Sequence, residues 1–283
     1  VHFMAESARI VARPEQRVFH PNLNSGCPMA DMATGPAVGR ALDELTAILP
    51  EKETVVPVVY MNTDAATKGI CGQEGGLVCT SSNAKKAFEW AFQQGERILF
   101  VPDEHLGRNT SHTMGIPDDE MLLYDPNQVN GGHSPEALRK AKVYLWKGYC
   151  HVHTWYTPEH IEQARQTYPG CRVVVHPECC SNVVEAADAV GSTAFIVKYV
   201  ESSSPGDTIV IGTEVNLTNR LAYEYPDRTV VPLSRSLCPN MFRISIEKLR
   251  DTLRAMPTMN EIIVPDETIH GARLAMERML ALP

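Results

Sequence analysis

What most restricts the fold of this 283-residue chain is a set of short segments apolar on both faces, separated by stretches of helical character. RILFV and RVVV show no alternation of polar and apolar residues, so neither face of such a strand can meet water. Strands of that kind sit in parallel sheets covered by helices, joined by right-handed crossovers. Strands are expected at residues 17–20, 55–60, 77–80, 97–102, 172–176, 194–197, 208–212 and 228–232. Helices are expected at 84–94, 158–168, 182–189 and 247–255. The fold class is α/β.

Two stretches depart from that rhythm. Residues 1–4 read as the end of a strand running straight into a helix, which suggests a missing N-terminal piece. Residues 109–148 are rich in Pro, Gly, Asn and Asp and read as a long irregular insertion, functional or at a domain junction. A weak internal repeat also emerges. VVYMN, CTSSN and FVPDEHLG recur in outline as VVVHPE, GSTAF and VIGTE, each placing polar residues where parallel strands end. Three αβα (Rossmann-like) three-layer domains follow, the first incomplete. Residues 1–27 are the remainder of the first, 28–150 the second with the 109–148 insertion, and 151–238 the third. Residues 239–283 form a helical segment packing back on them. A TIM barrel is the rival architecture.

Composition narrows the class of function. Subtracting 34 acidic from 26 basic residues leaves −8, and no Lys/Arg block offers a nucleic-acid surface. With 43% hydrophobic and 21% charged residues the chain is an ordinary globular one, and no apolar run approaches the ~18 residues of a membrane span. Eight cysteines are too few for a disulfide scaffold. VHFMAESARI has no basic-then-apolar export segment, so a cytoplasmic location with reduced thiols or metal ligands is expected.

Several positions can carry chemistry. Ser81 and Ser192 each follow an apolar strand and open a helix, a device that caps the first turn and can seat an anion. His176-Pro177-Glu178 ends a buried strand, where a His and a Glu can bind substrate and exchange protons. Tyr60 and Asn62 occupy the equivalent strand end of the other repeat. His151 and His153 form an H-x-H pair that could ligate zinc in a barrel hydrolase. Cys27, Cys150 and Cys238 each begin a polar turn near a boundary of the repeat scheme, and pseudo-threefold packing could bring them together. Cys71, Cys79, Cys171, Cys179 and Cys180 lack that placement and read as inert thiols.

In their order, VHFMAE, CPMAD, VVYMNT, CTSSNA, ILFVPDEHLGR, the Cys150–His153 CHVH, RVVVHPE, AVGST, IGTE and LCPNM make the chain resemble the quinolinate synthase family over essentially its whole length. The resemblance implies three αβα domains around a pseudo-threefold axis, with Cys27, Cys150 and Cys238 together holding one [4Fe–4S] cluster, one iron of which stays open. It implies condensation of iminosuccinate with dihydroxyacetone phosphate to quinolinate, in NAD biosynthesis. L-aspartate oxidase or aspartate dehydrogenase would be the functional link. Carried over by motif, substrate is bound by Tyr60, Met61, Asn62, Ser81, His176, Pro177, Glu178 and Thr193. Glu178, with His176 and Tyr60, is the catalytic expectation, and His153 lies near the cluster. The family begins with a strand ending in an H-N-Y-type motif that this sequence does not contain. The rival functions are the zinc hydrolase using His151 and His153, and a non-catalytic iron–sulfur module.

Overall fold

A computed structural model describes all 283 residues. It contains two open, wholly parallel sheets. The first is built from β1 (Val55–Tyr60), β2 (Leu77–Cys79), β3 (Arg97–Val101), β4 (Met121–Tyr124) and β5 (Val143–Trp146), in the spatial order β2-β1-β3-β5-β4. The second holds β6 (Arg172–Val175), β7 (Ala189–Val190), β8 (Thr208–Gly212) and β9 (Thr229–Pro232), in the order β7-β6-β8-β9. Two open sheets overturn the barrel alternative. In each sheet the chain leaves one strand, β1 or β6, first to one side and then to the other. That reversal opens a crevice at the carboxyl ends of the strands, the place where α/β sheets take ligands.

β3 shows why these residues make these strands: all five of its side chains are buried, with helices on both faces. Helix Ala84–Gln94 falls where periodicity puts it, with Ala84, Ala87, Phe88 and Ala91 on the inward face. The segment 109–148 is not an irregular insertion. It completes helix Glu104–Thr113, then makes β4, helix Pro135–Lys140 and β5, which pairs between β3 and β4. Tyr124 and Trp146 stack there at 6.1 Å between centroids. Its turn-forming residues punctuate short elements that a composition window averages away.

Residues 194–197 are not a strand. They lie in helix Thr193–Glu201, whose cap Ser192 accepts a hydrogen bond from the Phe195 amide, and the strand is the two-residue β7 just before it. A short apolar run fits a buried helix face, here Ile196 and Val200, as well as a strand. Residues 17–20 make only an isolated antiparallel bridge, Phe19 with Glu261, and residues 2–4 open helix His2–Val11. No helix is long and apolar enough to cross a membrane.

The C-terminal helix Asp266–Leu280 lies on helix Ala65–Gln73 with glycine against glycine. A Cβ on Gly72 would stand 1.8 Å from the Gly271 carbonyl oxygen, so backbone would have to move. Gly72→Ala is therefore expected to cost roughly 3 kcal/mol despite alanine's better helix propensity. Gly39→Ala, whose Cβ would meet only the Ile70 side chain at 3.6 Å, should be neutral or slightly stabilising. Thermal denaturation of the two variants side by side checks this.

Candidate active site

The crevices of the two sheets face one cavity of about 700 Å³. Tyr60 reaches it from the end of β1, Ser81 from beyond β2, and Cys150 from the loop after β5. From the other sheet come His176 and Glu178 after β6, and Thr213 and Glu214 after β8. Asn62, Cys27, Thr193, His153 and Cys238 complete the set expected from sequence. Two expected residues stay outside it. Met61 packs into the hydrophobic core, its Sδ 3.4 Å from the Ser7 hydroxyl. Pro177 presents its carbonyl to Asn109 instead. His151 is exposed while His153 is buried, so the H-x-H pair does not converge on one ion, and the zinc hydrolase reading falls with the barrel.

Glu178 is the hub. It is 2% exposed, and its Oε1 accepts the Tyr60 hydroxyl at 2.7 Å while its Oε2 faces His153 Nδ1 at 3.0 Å. An ionised carboxylate only accepts, so His153 Nδ1 carries the hydrogen of that contact, and Nε2 lies 3.0 Å from the Thr213 hydroxyl. His176 stacks on His153 with centroids 4.4 Å apart, and its Nδ1 accepts the Glu178 amide at 3.3 Å.

Burial fixes the charge states. His176 is brought down to about 3, chiefly by desolvation and then by His153, so it is neutral near pH 7. Desolvation alone would raise the Glu178 carboxyl. Its contacts with the two imidazoles, His153 first and then His176, and the hydrogen bonds from His153 and Tyr60 outweigh it and hold the group below the ordinary carboxylate range. Tyr60 is pushed well up by burial and by Glu178, so it remains a phenol that donates. Glu178 thus enters the cavity as a carboxylate base that accepts from Tyr60 and His153.

Acid should loosen this arrangement. Between pH 6.5 and about 3 an unfolded chain protonates His176 and the folded chain does not. The unfolded state then binds more protons, and stability falls as pH drops through that window. The depressed Glu178 carboxyl adds a loss in the same direction at lower pH. His176→Gln is expected to flatten the pH dependence of the urea midpoint between pH 4 and 6.5.

Sequence reasoning missed how the loops are held. Asp103 caps helix Glu104–Thr113 through the Leu106 amide, and its other oxygen accepts the Cys150 amide at 3.2 Å. Burial, then Glu178, raises its carboxyl well above the usual range. Glu214 caps helix Val215–Glu224 through the Asn216 amide and accepts the Cys238 amide at 3.3 Å. The same device appears twice: a buried acidic residue just past a strand grips the backbone of a cavity cysteine. Asn109 donates at 2.8 Å to the carbonyls of both Pro177 and Cys179, the residues flanking Glu178. Asn109→Asp keeps the shape and removes both donors. It is expected to lower turnover about tenfold by letting Glu178 drift, a displacement effect readable in kcat at unchanged metal content.

Metal-binding groups are concentrated in the same place. All eight cysteines are unpaired, and Cys27, Cys150 and Cys238 line the cavity. Cys150, His153 and Glu178 also present ligand atoms within 4.8 Å of one another.

A family model described as quinolinate synthetase A protein matches residues 1–281. A quinolinate synthase of Acidobacterium capsulatum is 50% identical, the match covering 100% of this chain and 78% of the relative. One from Corynebacterium glutamicum is 48% identical (100% and 73%), and one from a Nocardioides species 47% identical (100% and 75%).

Proposed function

The chain belongs to the quinolinate synthase family, enzymes that make a condensation product in NAD biosynthesis, and on that premise we propose that it joins iminosuccinate to dihydroxyacetone phosphate, giving quinolinate, phosphate and two waters. The observation that carries this reading is the meeting of Cys27, Cys150 and Cys238 with Tyr60, His176 and Glu178 on one cavity, although they are scattered along the sequence.

The cysteines are assigned to a [4Fe–4S] cluster. The donor set fits: three free thiols, the soft ligands such clusters take, on loops whose backbone is held at Cys150 and Cys238. Bound there with one iron left open, the cluster supplies a Lewis acid for loss of a substrate hydroxyl. The side chains do the rest. Tyr60, Asn62, Ser81 and Thr193 offer donors to the anionic groups of the two substrates. Glu178, ionised and within reach of His153 and Tyr60, removes a proton from carbon or nitrogen and returns it to a leaving oxygen. His176, neutral and stacked on His153, holds the ring pair in register and accepts the Glu178 amide. The fold reading extends accordingly to three αβα domains about a pseudo-threefold axis, divided at 27, 150 and 238. A reducing cytosol and a supply of iminosuccinate from L-aspartate oxidase or aspartate dehydrogenase complete the proposal.

The test is anaerobic turnover. The full chain with its cluster restored should form quinolinate and inorganic phosphate in equal amounts from the two substrates. A non-catalytic iron–sulfur module would bind about four irons and form neither.

A further inference from the structure

We propose that the chain, when free of its cluster, holds a single divalent transition-metal ion, zinc or cobalt in chemical class, on Cys150, His153 and Glu178. The proposal stands on the geometry of these three side chains and not on the reaction assigned above.

Sγ of Cys150, a ring nitrogen of His153 and a carboxylate oxygen of Glu178 lie mutually within 4.8 Å. Tetrahedral zinc, with bonds of roughly 2.0–2.3 Å, needs its ligands roughly 3.3–3.8 Å apart. The trio therefore requires an adjustment of about an ångström, within the reach of side-chain torsions. Thiolate, imidazole and carboxylate together suit a borderline ion rather than a hard one. His153 and Glu178 are buried, and Cys150 is half-buried at the cavity wall, so the cavity is the entry path and leaves a fourth position for water.

The surroundings already orient the ligands. His153 Nδ1 and Glu178 Oε2 face each other at 3.0 Å, and an ion between them replaces the proton they share. The imidazole then carries its hydrogen on Nε2 and donates it to Thr213 Oγ1, 3.0 Å away. Glu178 keeps the Tyr60 hydroxyl on its other oxygen, and Asp103 holds the Cys150 amide. Such supporting bonds distinguish a built metal site from a chance cluster. Proton balance is simple. The His153 proton moves from Nδ1 to Nε2 through solvent, and the Cys150 thiol proton leaves.

The competing arrangement is an ion on Cys27, Cys150 and Cys238. These sulfurs do not form a group within the same 4.8 Å limit, so they would have to close further around one ion. The two arrangements share Cys150, and this makes the single ion and the cluster mutually exclusive.

The experiment is a cobalt(II) titration of the full chain, stripped of metal by chelation under reducing conditions, with zinc added afterwards as competitor. One cobalt per chain, charge-transfer absorption of one thiolate and release of about one proton are expected. His153→Ala and Glu178→Gln should each weaken binding at least tenfold, and Thr213→Val about tenfold. Cys27→Ala and Cys238→Ala should leave it unchanged. Absorption and proton release of three thiolates, or loss of binding in Cys27→Ala and Cys238→Ala, overturn the proposal. So does binding indifferent to Glu178→Gln, or none at all. Glu178→Gln preserves shape, so it decides the matter even where His153→Ala does not fold.

Discussion

Glu178→Gln should lower kcat by about 10²–10⁴-fold while iron content and thermal midpoint stay near the parent values. Glutamine has the same outline, and its carbonyl still accepts from Tyr60, so the 2.7 Å contact persists. What disappears is the negative charge that His153, His176 and the Tyr60 hydroxyl sustain in a buried place. Positioning alone would survive that exchange, and proton transfer would not. Steady-state quinolinate formation, measured beside iron analysis of the same sample, separates the two. Full turnover with an intact cluster would remove Glu178 from the chemistry.

The second large effect is on the cluster. Cys150→Ala is expected to drop bound iron from about four per chain to below one after anaerobic reconstitution, with quinolinate falling below detection. Cys150 sits on a loop rather than in a strand, and Asp103 holds its amide, a contact that alanine keeps. The variant should therefore fold, and far-ultraviolet circular dichroism would record it. Cys71→Ala is the contrast. That thiol is buried between the backbone carbonyls of Pro57 and Leu77, away from the cavity, so its loss should cost some stability and no iron. Retention of four irons in Cys150→Ala would refute its place among the ligands.

Much of the architecture could be read before the coordinates, for reasons that differ by element. β1, β3, β6 and β8 announce themselves because a strand covered on both faces cannot afford a polar side chain. Residues 194–197 misled because AFIV is equally good as the inward stripe of a helix. The two-residue strand that fills that slot is too short for any periodicity. β4 and β5 hid among the glycines and prolines that punctuate residues 109–148.

The site divides in the same way. Tyr60, His176 and Glu178 stand at strand ends, where position follows from local pattern. Placement of the three cysteines at the repeat boundaries raised their convergence, and only likeness to a family assigned them to a cluster, since no spacing along the chain encodes it. Asp103 and Glu214 look from sequence like ordinary helix caps. Their second role depends on an amide that arrives from a loop after another strand, information that no local window contains. Thr213 and Asn109 were missed for the same reason.

The Tyr60–Glu178 bond has a consequence for handling the enzyme. It is a latch between halves of the molecule: the phenol hangs from one sheet and the carboxylate from the other. Heat or mild denaturant that merely lets those halves rock apart would part it while each half kept its own hydrogen-bonded ladder. Inactivation should accordingly precede the loss of helical signal, making residual turnover a more sensitive gauge of storage damage than any measure of folded content.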